Sequence, residues 1–205
     1  FSASDSKRSY LGPFGLNPED SISNIQKQNT TDKVTLRKNS YINAWTGPFI
    51  MAVTNANIVR RGAALLAEQG EEYGKDVIYK EHAYFSNRIS ALLGTLFLVL
   101  LGIVLFTPIK KIVRPLLRKP GQGPNHNVMD SGFFKAKFLV IGENDKKELY
   151  ELFGEGDPGY KLTSMFVCES AIALLENNNK LPGGSKYGGV LTASSGLGQV
   201  LIDRL

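Results

Sequence analysis

A chain of 205 residues with two histidines and one cysteine has room for one ordinary domain. The lone Cys168 excludes both an internal disulfide framework and a cysteine-rich zinc site, and His82 and His126 could hold a metal only with help from carboxylates. The net charge of +5 is concentrated: residues 89–120 carry five basic and no acidic side chains, while the stretches on either side nearly balance.

In chain order, residues 1–40 are polar and rich in Ser, Asn and Lys, with turn signals at Gly12-Pro13 and Asn17-Pro18. They read as an extended arm that wraps a partner or the body of the domain, or as a loose tail. Residues 41–88 read as the first part of an α+β domain. A helix is predicted from Asn55 to Gln69, capped by Asn55 or Asn57, with Ile58, Gly62 and Leu65 or Leu66 on one face and Gly70 as its stop. A strand is predicted over 76–86, where Val77, Tyr79, Tyr84 and Phe85 alternate weakly.

Residues 89–109 contain no charge, and fourteen of these 21 are Leu, Ile, Val or Phe, among them Ile89, Leu92, Leu93, Leu96, Phe97, Leu100, Leu101, Val104, Leu105 and Phe106. As a helix the run would measure about 31 Å, close to the hydrocarbon thickness of a bilayer. The large apolar residues favour insertion by about 6 kcal/mol before the small and polar ones are set against it. A helix buried in a soluble core usually keeps some polar positions, so a membrane-embedded helix is expected. It is followed at once by the basic collar Lys110, Lys111, Arg114, Arg118 and Lys119. These alternate with Ile109, Ile112, Val113, Leu116 and Leu117 at helical spacing, which suits a short helix in the head-group plane, kinked at Pro115. Bases gathered there point to anionic lipids or an acidic partner. Nucleic-acid binding calls instead for basic residues spread over a folded face among aromatics, so no nucleic-acid partner is expected.

Residues 121–205 read as the second part of the α+β domain. Residues 133–141 form a predicted strand, with Phe134, Ala136, Phe138 and Val140 alternating against Lys135 and Lys137; residues 149–153 form a weaker one. Asp157-Pro158 is predicted to open a helix whose apolar face, with Met165 and Cys168 in the core, is Leu162, Met165, Phe166, Cys168, Ile172 and Leu175. Residues 188–193 read as a short buried segment, and Leu197, Leu201 and Leu205 as one last helix. The expected fold class is α+β, a small mixed or antiparallel sheet with packed helices plus one membrane-embedded apolar helix. The strands at 76–86 and 133–141 are expected to pair, which would put both parts of the domain on one side of the membrane.

No catalytic constellation emerges. Gly183-Gly184 and Gly188-Gly189 lack the spacing of a dinucleotide fingerprint, Gly196-Leu197-Gly198 has Leu201 where the third glycine belongs, and Glu143 and Asp145 follow Val140-Ile141-Gly142 where a pyrophosphate would be repelled. No P-loop lysine and no nucleophile motif beside a histidine occur. No catalytic residue, intrinsic cofactor or metal is therefore expected.

The C-terminal third runs Gly156-Asp157-Pro158-Gly159-Tyr160, Thr163, Glu169-Ser170-Ala171, Leu181-Pro182, Gly188-Gly189-Val190-Leu191-Thr192 and Leu201-Ile202-Asp203-Arg204-Leu205. In that order it resembles the saccharopine-dehydrogenase-like oxidoreductases, a group that includes the bacterial trans-acting enoyl reductases. Upstream, Trp45, Pro48-Phe49 and Asn57-Ile58-Val59-Arg60-Arg61 look like the matching stretch. The resemblance covers roughly residues 41–205. It implies a second domain without the Rossmann domain that holds the nicotinamide cofactor in that family.

These features together lead to the expectation of a non-catalytic accessory subunit of a large membrane complex, in contact with other subunits, lipids and peripheral pigments. Phe1 resembles the residue that follows import-signal cleavage in red-lineage plastids, which favours a photosystem–antenna supercomplex in the thylakoid. A mitochondrial inner-membrane respiratory complex or ATP synthase comes next. The other reading is a C-terminal fragment of a membrane-bound NAD(P)-dependent oxidoreductase.

Overall fold

The computed structural model describes residues 12–18, 21, 35–70, 77–113, 115, 121–142, 144–184 and 187–205. Most of the predicted arm over 1–40 lies outside the described residues, as do Arg114, Arg118 and Lys119 of the collar. The protein is mixed α and β, with seven α-helices and two small sheets among the described residues. They cluster into two compact units, one drawn from Phe1–Thr35, Gly47–Ala83 and Glu169–Leu205, the other from Leu36–Thr46 and Tyr84–Cys168.

The first unit is organised by helix α1, Ala52–Glu68. Ala52, Ala56, Arg60 and Ala64 recur every fourth residue and form its buried stripe, flanked by Asn57, Gly62, Leu65 and Leu66. The helix starts earlier than predicted, at an N-cap, Met51, that makes no side-chain cap. Neither asparagine caps it: Asn57 is buried and donates to the Gly12 carbonyl at 3.3 Å, while Asn55 donates to Glu81 Oε1 at 3.1 Å. Ile58, predicted to face inward, is exposed. Gly70 ends the helix at φ +79°, a conformation that favours glycine. Helix α6, Ala193–Gly196, packs against α1, and a Cβ on Gly62 would lie 2.4 Å from Ser194 Oγ and 2.8 Å from Thr192 Oγ1. A capping box between Thr192 and Ser195 holds α6. The single last helix expected around Leu197 and Leu201 is instead two short ones, α6 and α7, Gly198–Ile202, because Gly198 turns at φ +52° beside Pro182. The segment over 188–193 is not buried: Val190 is 83% exposed.

In the second unit, strands β1, Arg37–Asn39, and β2, Ala44–Gly47, pair antiparallel, and β3, Ala83–Phe85, completes their sheet in the order β1-β2-β3. Of the strand predicted over 76–86, Ala83–Phe85 alone forms among the described residues, and Asp76 lies outside them. Helix α2, Arg88–Phe106, follows, then one turn of helix α3, Lys110–Val113, and helix α4, His126–Ser131. Strand β4 forms over Phe133–Ile141 as predicted, and β5 extends beyond its predicted core to Lys147–Glu155. These two make a separate antiparallel ribbon, with Lys137 opposite Glu151 and Phe138 opposite Tyr150. Among the described residues, the expected pairing of 76–86 with β4 does not occur. A hairpin closes through Gly142–Lys146 instead, where Gly142 N–H donates to the Lys146 carbonyl at 2.9 Å. Such a short loop costs less chain entropy than pairing across some fifty residues.

Helix α5, Lys161–Glu176, starts three residues later than Pro158 suggested. Its predicted apolar face is only partly covered. Leu162 and Ala173 are buried, whereas Met165 and Cys168, predicted as core, are exposed and Leu175 is 82% exposed.

Candidate functional site

Helix α2 concentrates the unusual chemistry of the chain. Asn87 caps its start, its Oδ1 accepting from Ser90 N–H at 2.8 Å. Thr95 and Thr107 return their hydroxyls to the carbonyls of Ala91 and Ile103, so their polarity is spent within the helix. Thr107 leaves the helix in extended backbone before Pro108. Of all its residues only Ala91 is buried. The two sides nevertheless differ. Ala91, Gly94, Thr95, Leu98, Leu101 and Gly102 fall on one face and are the less exposed; a Cβ on Gly94 would meet the Phe85 ring at 2.7 Å, so that face approaches β3 closely. The opposite side carries Ile89, Leu92, Leu93, Leu96, Phe97 and Leu100, and Phe106, the last residue of the helix, is 91% exposed. Leu105 is also exposed, while Val104 is intermediate. Lys110 and Lys111 follow on α3, both exposed.

The motif residues lie at turns. Asp157 Oδ2 accepts from Tyr160 N–H at 2.6 Å, and Thr163 Oγ1 donates to the Pro158 carbonyl at 2.7 Å, so Asp157-Pro158-Gly159-Tyr160 forms a closed turn leading into α5. Gly156 precedes it at φ +118°. Arg204 binds Glu169 Oε2 at 2.8 Å and Glu176 Oε2 at 3.1 Å, tying the last turn to α5, while Asp203 accepts from Gln199 at 2.7 Å. Among the described residues, and apart from their chain neighbours, no atom lies within 4 Å of a Cβ added at Gly188 or Gly189. Trp45 lies in β2 beneath the Arg88 guanidinium, with Pro48 and Phe49 just after the strand.

Sequence reasoning gave no role to the arginine pair on α1. Arg60, 5% exposed, donates to the carbonyls of Pro13 at 2.9 Å and Tyr79 at 3.2 Å and lies 5.3 Å from the Phe14 ring centroid. Arg61 reaches the carbonyls of Leu16 and of Val190, the latter at 2.8 Å. The available signal was an arginine on the alanine stripe.

The ribbon carries a charge triad. Glu151 accepts from Lys135 at 3.0 Å and from Lys137, and the two ammonium groups hold its carboxyl below the ordinary range. A depressed carboxylate contributes stability above its unfolded pKa and loses it as pH falls through the lower folded value. Protection of the β4–β5 amides, corrected for intrinsic exchange, is expected to stay level from neutral pH to the ordinary carboxylate range and to drop below it. Glu151→Gln should flatten that drop. An equal drop in the variant would assign it elsewhere.

Among the described residues, two of the glycine segments weighed for a dinucleotide fingerprint lack its strand–turn–helix setting. Gly142 leads into a hairpin and not a helix, and the space beside Gly198 is taken by Pro182, 2.7 Å from an added Cβ. Among the described residues no group of three or more His, Cys, Asp or Glu could hold a metal.

A Mycobacterium tuberculosis (strain H37Rv) protein named as a trans-acting enoyl reductase is 32% identical over 169 residues, 78% of this chain and 39% of the relative. Trans-acting enoyl reductases of Mycobacterium ulcerans and Mycobacterium bovis BCG are 27% identical over the same 78% and 39%. These likenesses support the trans-acting enoyl reductase family. The chain spans about two fifths of the length of these curated reductases. No family model matches, and no solved structure does. The expected photosystem–antenna subunit of a thylakoid, and with it the respiratory or ATP-synthase subunit, is thereby corrected: the relatives are named as reductases, and those names point to an enzyme-related function. Those expectations rested on Phe1 and on an apolar helix, and neither feature identifies a complex.

Proposed function

We propose that this chain is the non-cofactor portion of an enoyl-reductase-type oxidoreductase, fixed to a membrane by α2. What carries the reading is 32% identity to a named enoyl reductase over 78% of the chain, combined with glycine segments that do not fit a dinucleotide. The nicotinamide would then be bound by another domain or subunit, and the residues here would hold that partner and the substrate. Membrane attachment is supported by α2 itself, 19 residues and about 28 Å long against about 30 Å of hydrocarbon, with its large side chains exposed.

The test is purification of the tagged chain from its source in mild detergent, followed by assay for nicotinamide-dependent reduction of a 2-enoyl thioester. Activity should co-purify with the native assembly and be missing from the isolated chain, which should bind neither NAD(H) nor NADP(H) in calorimetry. Micromolar cofactor affinity in the isolated chain, or no activity in the native assembly, would overturn the reading.

A further inference from the structure

We propose that Lys38, Trp45 and Arg88 form a phospholipid head-group contact at the start of α2. This rests on the membrane reading above and adds an anchor that it does not contain. The β1–β2 register sets Lys38 directly across from Trp45, which places their side chains on one face of the sheet. The Arg88 guanidinium lies 5.8 Å from the Trp45 ring centroid. Both cations are exposed, and among the described residues neither takes part in an ion pair.

Each part suits a membrane interface. An indole partitions to the level of the head groups, a guanidinium grips phosphate oxygens in pairs, and an ammonium adds charge. The adjoining run suits it too, since residues 89–109, directly after Arg88, are uncharged. A second copy docked through the same patch would bring like charges together.

Trp45 is the only tryptophan, so its fluorescence reports this cluster alone. The purified chain would be reconstituted in phosphatidylcholine vesicles, with and without phosphatidylglycerol, carrying a nitroxide either near the head group or near the acyl-chain end. The expected result is co-flotation with the vesicles and Trp45 quenching about twofold stronger by the shallow nitroxide. A blue shift on adding phosphatidylglycerol should also appear, and the Lys38→Gln/Arg88→Gln variant should lose it. Failure to float would end the membrane reading and this inference together. Flotation with Trp45 quenched by neither probe, or more by the deep one, would overturn the inference and leave the reading standing. A blue shift that persists in the double variant would likewise overturn it.

Discussion

Replacing Arg60 by alanine is expected to destabilise the unit built on α1 by about 3 kcal/mol, lowering a urea midpoint by about 1.5 M. The guanidinium donates to carbonyls from two distant segments, at Pro13 and Tyr79, and stacks near Phe14. Hydrogen bonds from a charged donor contribute about 1.5–3 kcal/mol each, and a desolvated cation–π contact up to about 2. Against these stands the cost of keeping the charge out of water, several kcal/mol, which alanine relieves. The balance is set by the two carbonyls left without their donor and by the void beside Ala56 and Ala64. Arg60→Lys keeps the charge but cannot fork to both carbonyls, so an intermediate loss is expected. Arg61→Ala is the internal control, because its bonds to Leu16 and Val190 are solvent-exposed and should be worth less than about 1 kcal/mol. Equal midpoints for Arg60→Ala and the parent chain, measured by circular dichroism in mild detergent, would overturn this assignment.

The contrast between these arginines explains much of what the sequence hides. A basic residue reads as surface by default, and only the tertiary fold brings carbonyls at Pro13 and Tyr79 to one guanidinium. Helix α2 is legible for the opposite reason: an uncharged apolar run has few alternatives to a helix, whatever surrounds it. Strand β4 is legible because its alternation is local, and its hairpin with β5 needs only the next few residues. The pairing expected with residues 76–86 required two distant segments to meet, and periodicity carries no information about that. The face of α5 misled differently. Its apolar spacing is real, but Met165, Cys168 and Leu175 are exposed, and a pattern of apolar residues states what could be covered without stating what covers it. The motif Gly156-Asp157-Pro158-Gly159-Tyr160 was visible as a string. Its reason is geometric and was not.

That reason gives the second large effect: Gly132→Ala is expected to cost about 2–4 kcal/mol. Gly132 does not need glycine for its backbone, which is extended at φ −67° and ψ 162°. It needs glycine for space. An added Cβ would lie 2.8 Å from both Cα and N of Asp157, and backbone atoms cannot swing aside as a side-chain end can. The two segments are joined here by Gly156 N–H donating to the Gly132 carbonyl at 2.7 Å and Asp157 N–H to the Met129 carbonyl at 2.8 Å. Making room for a methyl group would stretch or break both. Overpacking typically costs about 1–3 kcal/mol, and each lost bond adds about 1. Gly142→Ala, at the far end of β4, is the matched control, since its nearest neighbour would be 3.7 Å away. It should change stability by less than about 0.5 kcal/mol. Hydrogen exchange provides the local readout: the amides of Gly156 and Asp157 should lose protection in Gly132→Ala and keep it in Gly142→Ala. If both variants leave those amides equally protected, the motif turn is not held by its contact with Gly132.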